Sequence, residues 1–484
     1  MDPTTDGDAL GAILAAGAYA PPYRITADEV ADAWGRFDAG GIDRTAVPGA
    51  DEDALTMGIA AGRRALSAAE VSGSDLEFLA FATTTPPQEE GDLTARLGAA
   101  LAVPDGATRQ SFSASTRAGT RALSAALSAD PDPGLVVAAD CPRGEPADER
   151  DHAAGAGAAA FVVGSEGPAA FVDAAEHADP TPGTRFRRRG SDRVEGLGVT
   201  SYDRAAFART VGAAAEGVGF GADSTAEADA AAVQSPDGAM PYRAADALGV
   251  DTGTVAAAET VSDLGDTGAA STPLGLATAL GAGHGRILVV GYGSGGAADA
   301  LLVEAERDPP TALSLEGDRA VSYAEYLRLR GEITPGNPDG GGASVSVPAW
   351  KRSLPGRYRP RAGECPECGG LTFPPEGACG ECGALVEFET VELGPDGRVE
   401  AVTRIGQGGA PPEFAEAQAR GGAYGVAIVA VEGPAGGSAS VPLQVADGHD
   451  APEVGDVVRA VVRRIYTQEG VTRYGVKARP VGPD

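Results

Sequence analysis

The chain has 484 residues, 43% of them hydrophobic, which is enough to fold into about two to four domains. Its formal net charge is −31, and lysine occurs only as Lys351 and Lys477. This acidic balance argues against duplex DNA or an anionic membrane as a partner. It is typical of a halophilic protein in a high-salt cytoplasm, although an ordinary acidic cytosolic protein also fits.

The start of the chain carries no basic, signal-like segment, and no apolar run approaches the roughly 18 residues of a membrane span. We therefore expect a soluble, cytoplasmic protein. Four of the five cysteines lie in one short segment, so a disulfide framework is not expected.

Before residue 334, short apolar runs alternate with alanine-rich helical stretches, which predicts a layered α/β fold. The stretch SFSASTRAGTRALSAAL, residues 111–127, predicts a strand end that turns into a closely packed helix rich in small residues. The other predicted elements are, in chain order, a strand in 76–84, a helix in 92–103, strands in 134–140 and 157–164, and a helix in 202–218.

Composition shifts to Gly, Pro, Asn and Ser in residues 334–348, which indicates a linker. After it, short strands without long helices predict a small all-β barrel; they fall in 398–405, 425–433, 439–446, 456–466 and 472–481. We divide the chain into a first domain of residues 1–333, the linker 334–348, a cysteine-rich domain of residues 349–388 and a barrel domain of residues 389–484.

Four cysteines form a pair of C-x2-C turns in CPECGGLTFPPEGACGEC: Cys365, Cys368, Cys379 and Cys382. Gly369 and Gly383 follow the two turns and let backbone amides face the sulfur atoms. Four thiolates complete a tetrahedral shell for Zn2+ and leave no position open, so the metal would be structural. The alternatives are four reduced structural cysteines or a redox C-x2-C pair.

Residues from about 345 to the end resemble the family called domain of unknown function 35. The resemblance rests on the cysteine cluster and on the late pattern EVGDVVRAVVRRIY…TRYGVKARP. It implies a rubredoxin-like zinc ribbon followed by an OB-fold barrel, and association with thiolases and related acyl-CoA enzymes. OB folds also bind single-stranded nucleic acid, but this barrel has few aromatic residues and no net positive charge, so we expect no nucleic acid.

The first 330 or so residues resemble the thiolase superfamily, and within it archaeal 3-hydroxy-3-methylglutaryl-CoA synthases. An ordered set of stretches carries the resemblance: GAYAPPYRITADEVADAWG, AVPGADEDALTMGIAAGRRAL, STRAGTRAL, GDTGAASTPLGLATAL, ILVVGYGSGGAADALLVE and SYAEYLRLRGEI. It implies two duplicated halves packed in five layers, an active site at their junction, and a homodimer.

The family's condensation uses a thiolate at the start of a buried helix, where backbone amides and the helix dipole lower the thiol pKa. On the resemblance, that cysteine falls on Thr116, the general-acid Glu on Thr84, the His on Gln234, and an Asn that holds the thioester oxygen on Asp266. The catalytic groups are thus replaced together, which predicts a catalytically degenerate copy.

The glycine-rich loop GYGSGG is retained, and in the family such a loop shapes the acyl pocket with backbone amides; we assign this role to Gly293, Ser294 and Gly295. Few other residues could take over the roles of the replaced catalytic groups. Cys141 follows a predicted strand and is interpreted as structural. Glu89 and Glu90 lie close after Thr84 and are interpreted as solvated, with a role as acid or base as the alternative.

Three functions remain open. The first is a non-catalytic acyl-CoA-binding subunit that docks and assists a separate thiolase through the zinc-ribbon and OB module. The second is an active acyl-CoA condensing acyltransferase that uses unconventional groups, such as Thr116 with Gln234 and a carboxylate. The third, a nucleic-acid-binding OB protein, is the one that the charge favours least.

Overall fold

The computed structural model describes residues 9–197, 200–334, 353–354, 356–406, 418–468 and 470–481. The chain divides into two compact units, Met1–Pro48 with Asp53–Tyr323, and Gly49–Glu52 with Ala324–Asp484. All of the linker predicted at 334–348 except residue 334 lies outside the described residues. Within the described ranges, no helix has the length and apolar character needed to cross a bilayer.

The first unit alternates strands and helices along the chain. Its strands are β1 Gly11–Tyr19, β2 Tyr23–Thr26, β3 Arg44–Val47, β4 Phe78–Ala82, β5 Thr108–Phe112, β6 Gly134–Asp140, β7 Gly157–Gly164, β8 Ala169–Ala178, β9 Arg185–Phe186, β10 Glu195–Gly196, β11 Ala230–Val233, β12 Arg286–Gly293, β13 Ala297–Ala305, β14 Thr311–Ser314 and β15 Arg319–Ala320. The α-helices, of which the last crosses the boundary between units, are α1 Ala27–Trp34, α2 Ala54–Ala69, α3 Thr94–Leu101, α4 Ala118–Ala129, α5 Glu149–Ala153, α6 Thr200–Glu216, α7 Met240–Arg243, α8 Ala245–Leu248, α9 Thr252–Ala256, α10 Val261–Leu264, α11 Ser271–Gly281 and α12 Tyr323–Leu329. Two 3-10 turns lie at Gly73–Asp75 and Gly268–Ala270.

A ten-stranded mixed sheet forms the centre of this unit, in the order β11-β12-β13-β8-β1-β7-β6-β4-β5, with β14 paired to β1. Strands β4, β6 and β7 are buried along their whole length because their sequences are almost unbroken apolar runs. The predicted mixed α/β class is confirmed.

The two ends of the sheet repeat one pattern. At one end β6 pairs parallel to β4 and antiparallel to β7, and at the other β12 pairs parallel to β11 and antiparallel to β13. Helix α4 precedes β6 and α11 precedes β12, and both helices contribute to one buried cluster. This repetition brings the starts of α4 and α11 into the same neighbourhood as the ends of β6 and β12.

The second unit contains a three-stranded sheet and a five-stranded antiparallel sheet. Their strands are β16 Arg361–Glu364, β17 Leu371–Thr372, β18 Glu389–Glu392, β19 Asp396–Ile405, β20 Tyr424–Glu432, β21 Ser438–Gln444, β22 Val457–Gln468 and β23 Val471–Pro480. The larger sheet has the order β21-β20-β19-β22-β23, and an isolated bridge from Val445 to Ala478 brings its two edges together. The sheet is therefore nearly closed around an apolar interior.

The second unit also buries a cluster of charges. The Lys477 ammonium lies 2.8 Å from Asp51, and the Arg463 guanidinium lies 3.0 Å from Glu52; these four side chains are 1–2% exposed. The backbone N–H of Asp447 donates to Asp51 at 3.0 Å. Pairing offsets the cost of removing these charges from water.

Candidate functional site

The chain turns sharply from β5 into α4, at the place where the resemblance sets a nucleophile. Ala114 has a φ of 66°, in the left-handed region that residues with a Cβ rarely adopt. Helix α4 begins at Ala118, and Thr116 lies half-buried in the turn before it. Gly119 lets the helix pack closely, because a Cβ there would overlap the Ala269 carbonyl oxygen. The predicted close packing of this helix is confirmed.

The hydroxyl of Thr116 is hydrogen-bonded to the backbone of β12. It donates a hydrogen bond of 2.6 Å to the carbonyl oxygen of Tyr292. The two elements approach closely because Gly291 has no side chain; a Cβ there would overlap the Thr120 hydroxyl. A peptide carbonyl cannot remove a proton, so this contact leaves Thr116 as a neutral alcohol.

Thr84, at the predicted general-acid position, is tied to a buried carboxylate. Its backbone N–H and its hydroxyl each donate to Asp140 at 2.7 Å. Asp140 ends β6, is fully buried, and accepts further hydrogen bonds from Thr83 and Thr85. Asp140 is not among the sequence-predicted site residues; the one signal for it is the acid that ends the apolar run 134–140.

Gln234 follows β11 and is 2% exposed. Its amide nitrogen donates to the carbonyl oxygen of Gly268 at 2.9 Å. Its amide oxygen has no hydrogen-bond partner among the described residues. An amide in this state is neither a general base nor a general acid at neutral pH.

Asp266, at the predicted Asn position, forms an ion pair with Arg185 of the short β9–β10 hairpin and accepts from the Gly268 N–H at 2.9 Å. Arg187, just after β9, donates to the carbonyl oxygen of Thr84. Neither arginine was predicted from the sequence, and the only signal for them is the arginine-rich run 185–189.

The predicted acyl-pocket loop forms the turn between β12 and β13. The hydroxyl of Ser294 accepts hydrogen bonds from the backbone N–H groups of Thr184 at 2.9 Å and Arg185 at 3.0 Å. Gly295 has a φ of 111°, which only glycine adopts without strain. Through the Ser294 hydroxyl, the loop therefore helps to position the first strand of the β9–β10 hairpin.

A cavity of about 260 Å3 brings several of these positions together. Thr116, Gln234, Asp266 and Ser294 line it, whereas Thr84 is not part of its described lining. The other lining residues are Asp38, Gly40, Glu149, Arg150, Thr184, Arg185, Leu197, Asp203, Arg204, Phe207, Pro236, Asp237, Ala239, Met240, Arg243 and Tyr292. The lining includes both acidic and basic side chains, so both signs of charge are present in the wall.

Burial raises the pKa of two ionisable groups near α4. Burial, reinforced by the nearby Asp203 carboxylate, raises the pKa of Tyr292 to about 12, so its phenol stays protonated. Burial also raises the pKa of Asp299, although Thr120 donates to this carboxyl at 2.8 Å and Arg117 lies 3.0 Å away. The Thr116 hydroxyl donates to neither side chain but to the Tyr292 carbonyl oxygen.

The other candidate groups lie apart from this chemistry. The Glu89 side chain is 69% exposed and lies 4.0 Å from Arg189, and Glu90 is exposed as well, in line with a solvated role. Cys141 follows β6, and its backbone N–H donates to the Thr85 hydroxyl at 3.0 Å. None of these three residues lines the cavity described above.

The four cysteines of the second unit converge on one point. All four sulfur atoms lie within 4.8 Å of one another, with 3.8 Å between Cys365 and Cys382 and 3.6 Å between Cys368 and Cys379. Zn–S bonds of about 2.3 Å give a tetrahedron with edges of about 3.8 Å, so the four thiolates fit this ion.

Glycine makes the two cysteine turns possible. Gly369 and Gly383 have φ values of 72° and 75°, and each donates its N–H to the carbonyl oxygen of the first cysteine in its turn. The predicted contact of a backbone amide with sulfur is made by the next residue of the first turn, where the Gly370 N–H donates to the Cys368 sulfur at 3.4 Å. The arrangement can hold a metal ion with four sulfur ligands.

No family model matches the chain. A hydroxymethylglutaryl-CoA synthase of Pyrobaculum neutrophilum is 32% identical over 340 residues, which cover 66% of this chain and 96% of that protein. The hydroxymethylglutaryl-CoA synthase of Methanothermobacter thermautotrophicus is 30% identical over 349 residues, covering 67% and 99%. Among solved structures, MvaS in complex with 3-hydroxy-3-methylglutaryl coenzyme A matches with a TM-score of 0.57 at 20% identity, covering 69% of this chain and 94% of that one.

Proposed function

The chain belongs to the hydroxymethylglutaryl-CoA synthase family, and from that membership we propose that it is a non-catalytic member that binds acyl-CoA and assists a separate thiolase. In this proposal the first unit holds the ligand and forms a homodimer. The second unit is a zinc ribbon with an OB-fold barrel, and it docks the thiolase. The protein works in a high-salt cytoplasm.

The hydrogen bond from Thr116 to the Tyr292 carbonyl oxygen carries the proposal. A condensing enzyme needs a nucleophile that becomes an anion, and an alcohol does so only beside a base. Here the Thr116 hydroxyl donates its proton to a hydrogen bond with the Tyr292 carbonyl oxygen. Gln234 has an amide where the family is expected to have the imidazole of a histidine. General acid–base assistance is worth about 10² to 10⁴ in rate, so its loss alone would leave very little turnover.

Acyl-CoA as the ligand is supported by the cavity and by the family. The first unit keeps an internal space of about 260 Å3 lined by Thr116 and Gln234. A solved protein of similar fold holds 3-hydroxy-3-methylglutaryl coenzyme A. Loss of a nucleophile does not by itself remove the contacts that bind the rest of a thioester ligand.

Docking to a thiolase is supported by the second unit. Four cysteines with the spacing of a tetrahedral zinc site precede a nearly closed five-stranded sheet. This pairing resembles the zinc-ribbon and OB-fold module whose known members associate with thiolases. Zinc is proposed on the same grounds, as a structural ion that stabilises the ribbon.

A second function, an active condensing acyltransferase, is favoured by one observation. The Asp266 carboxylate lines the same cavity as Thr116. The chain that carries it belongs to a family of acyltransferases. This carboxylate is already engaged by the Arg185 guanidinium and by the Gly268 N–H.

Mass spectrometry of the intact protein after incubation with acetyl-CoA in high salt separates the two functions. We expect no acetyl adduct and no synthase activity with acetyl-CoA plus acetoacetyl-CoA, while a catalytic relative run in parallel forms the adduct. A stable acetyl group mapped to Thr116, or turnover that disappears in Thr116→Ala, would establish the active acyltransferase instead.

A further inference from the structure

The connection between α1 and β3, residues 35–43, forms part of the cavity wall, and we call it the wall segment. Asp38 and Gly40 of this segment line the cavity. The Gly40 carbonyl oxygen accepts a hydrogen bond from the Gly238 N–H at 3.1 Å. The segment itself contains neither a helix nor a strand. A change in its position therefore changes the shape of the cavity.

A buried histidine of α5 holds the wall segment in place. His152 is 3% exposed, and its ring stacks on Phe37 with the ring centroids 5.4 Å apart and an angle of 9° between the planes. Its Nδ1 accepts a hydrogen bond from the Asp38 N–H at 3.1 Å. Ala39 and Ile42 add a small buried apolar contact on the same side. The attachment of Asp38 thus requires an imidazole that can accept a hydrogen bond.

This hydrogen bond fixes the protonation state of the imidazole. A nitrogen that accepts from an N–H group carries no proton, so the His152 ring is neutral and has its proton on Nε2. The Nε2 atom has no hydrogen-bond partner among the described residues. A second proton on Nδ1 would set two N–H groups against each other and would leave Asp38 without its acceptor.

Four charged groups face the His152 imidazole. Asp148 and Asp151 lie at α5, whereas Asp38 and Arg36 lie in the wall segment. Burial is the largest effect, and it lowers the pKa of His152 below its usual value of 6.5, although the three carboxylates oppose it and Arg36 reinforces it. The buried ring is therefore neutral at pH 7.5.

We propose that His152 is a proton-sensitive switch: its neutral ring holds the wall segment against α5, and its protonation in mildly acidic solution releases the segment and opens this side of the cavity. The proton binds to Nδ1, and the Asp38 N–H loses its acceptor. Release and protonation are linked, because an imidazole freed from burial regains its usual pKa and binds the proton more tightly. The inference concerns the cavity wall and does not depend on which ligand the cavity holds.

Hydrogen exchange of the wall segment tests this inference on the full-length protein in high salt. Exchange rates of its peptides are divided by the rates of the same peptides without structure and are compared at pH 7.5 and 5.0. We expect the protection to fall about tenfold at pH 5.0, because release then gains the proton affinity of a free imidazole. Peptides of β12 should keep their protection. Unchanged protection of the wall segment, or an equal fall in β12, would overturn the inference.

His152→Asn separates this switch from other titrating groups. The asparagine oxygen can take the place of Nδ1 as an acceptor but binds no proton at these pH values, so the wall segment should be equally protected at both. His284→Asn is the matched control, because His284 lies between α11 and β12, outside the wall segment; it should respond to pH as the unchanged protein does. A loss of protection in His152→Asn as large as in the unchanged protein would overturn the inference.

A second measurement decides if His152→Asn does not fold. The chain has four histidines, so nuclear magnetic resonance of the unchanged protein with 13C-labelled histidine follows each imidazole through its titration. We expect one of them to titrate below its usual value of 6.5, over the same pH range in which the wall segment loses protection. The absence of such a titration would contradict the switch.

Discussion

Asp447 is a single residue whose charge the fold disfavours. Burial, together with the neighbouring Asp51 carboxylate, raises its pKa from 3.8 to about 6. The folded protein therefore binds this proton more tightly than the unfolded chain does. The stabilisation from the neutral form is complete below about pH 4 and is lost as the pH rises through about 6.

Asp447→Asn should therefore stabilise the protein at neutral pH. The new amide oxygen can still accept the hydrogen bond that the Ala50 N–H donates at 2.7 Å, and the unfavourable charge is gone. We expect the free energy of unfolding to rise by about 1–3 kcal/mol at pH 7.5 and to be unchanged near pH 3.5. Denaturant unfolding in high salt at the two pH values measures both.

Asp450→Asn is the matched control for this change, because Asp450 is exposed three residues further along. A surface change of this kind is worth within about 0.5 kcal/mol at either pH. Destabilisation by Asp447→Asn at pH 7.5 would show that the ionised carboxylate is needed by the buried charge cluster.

At the scale of elements, the cysteine turns and the central strands were accessible from the sequence because their causes are local. The strands β6 and β7 have the predicted bounds, 134–140 and 157–164, since each is one apolar run. The metal cluster follows from the spacing of its cysteines and from the glycine after each pair.

The β9–β10 hairpin was not predicted, because each of its strands has only two residues and its contacts are distant in the sequence. Arg185 meets Asp266, 81 residues later. The free oxygen of Gln234 also had no sequence signal, since it depends on where the Gly268 carbonyl lies. The sequence gives the type of side chain at these positions, but it does not show which hydrogen bonds each side chain makes in the fold.

The proposed zinc ribbon gives a prediction at this scale, because we expect its folding and its metal binding to form one equilibrium. The full chain should contain about one zinc per molecule, and Cys368→Ser should lose it together with the cooperative unfolding of the second unit. Elemental analysis and thermal unfolding measure the two effects.

Cys141→Ser is the matched control for the ribbon, since Cys141 lies in the first unit, outside the cluster. It should keep its zinc. Full zinc content in Cys368→Ser, or no zinc in the unchanged protein, would contradict the assignment of the site.

At the scale of the whole molecule, the chain contributes a distant segment to its second unit. Gly49–Glu52 belongs to that unit, although the strands that carry Arg463 and Lys477 lie about 400 residues later. Nothing in the local sequence marks the segment, because an acid such as Asp51 looks the same whether it will be buried or solvated.

Deletion of residues 345–484 tests which unit forms the proposed dimer and which unit binds the proposed thiolase. We expect the full chain to bring a thiolase with it during purification from native cells, and the truncated protein to remain a homodimer but to lose that thiolase. The truncated protein should also carry Asp51→Asn and Glu52→Gln, because the deletion removes the positive partners of both acids. Unchanged recovery of the thiolase with the truncated chain would place the docking surface in the first unit.

The contact between Thr84 and Asp140 has a consequence for evolutionary descent. A glutamate at position 84 would place a second carboxylate beside the buried one and would remove the hydroxyl that now donates to it at 2.7 Å. Like charges repel strongly where burial leaves little solvent to screen them, so we expect the variant with glutamate at position 84 to be poorly stable. Selection proceeds one substitution at a time, so we expect a lineage that carries this pair not to acquire a glutamate at position 84 by a single step.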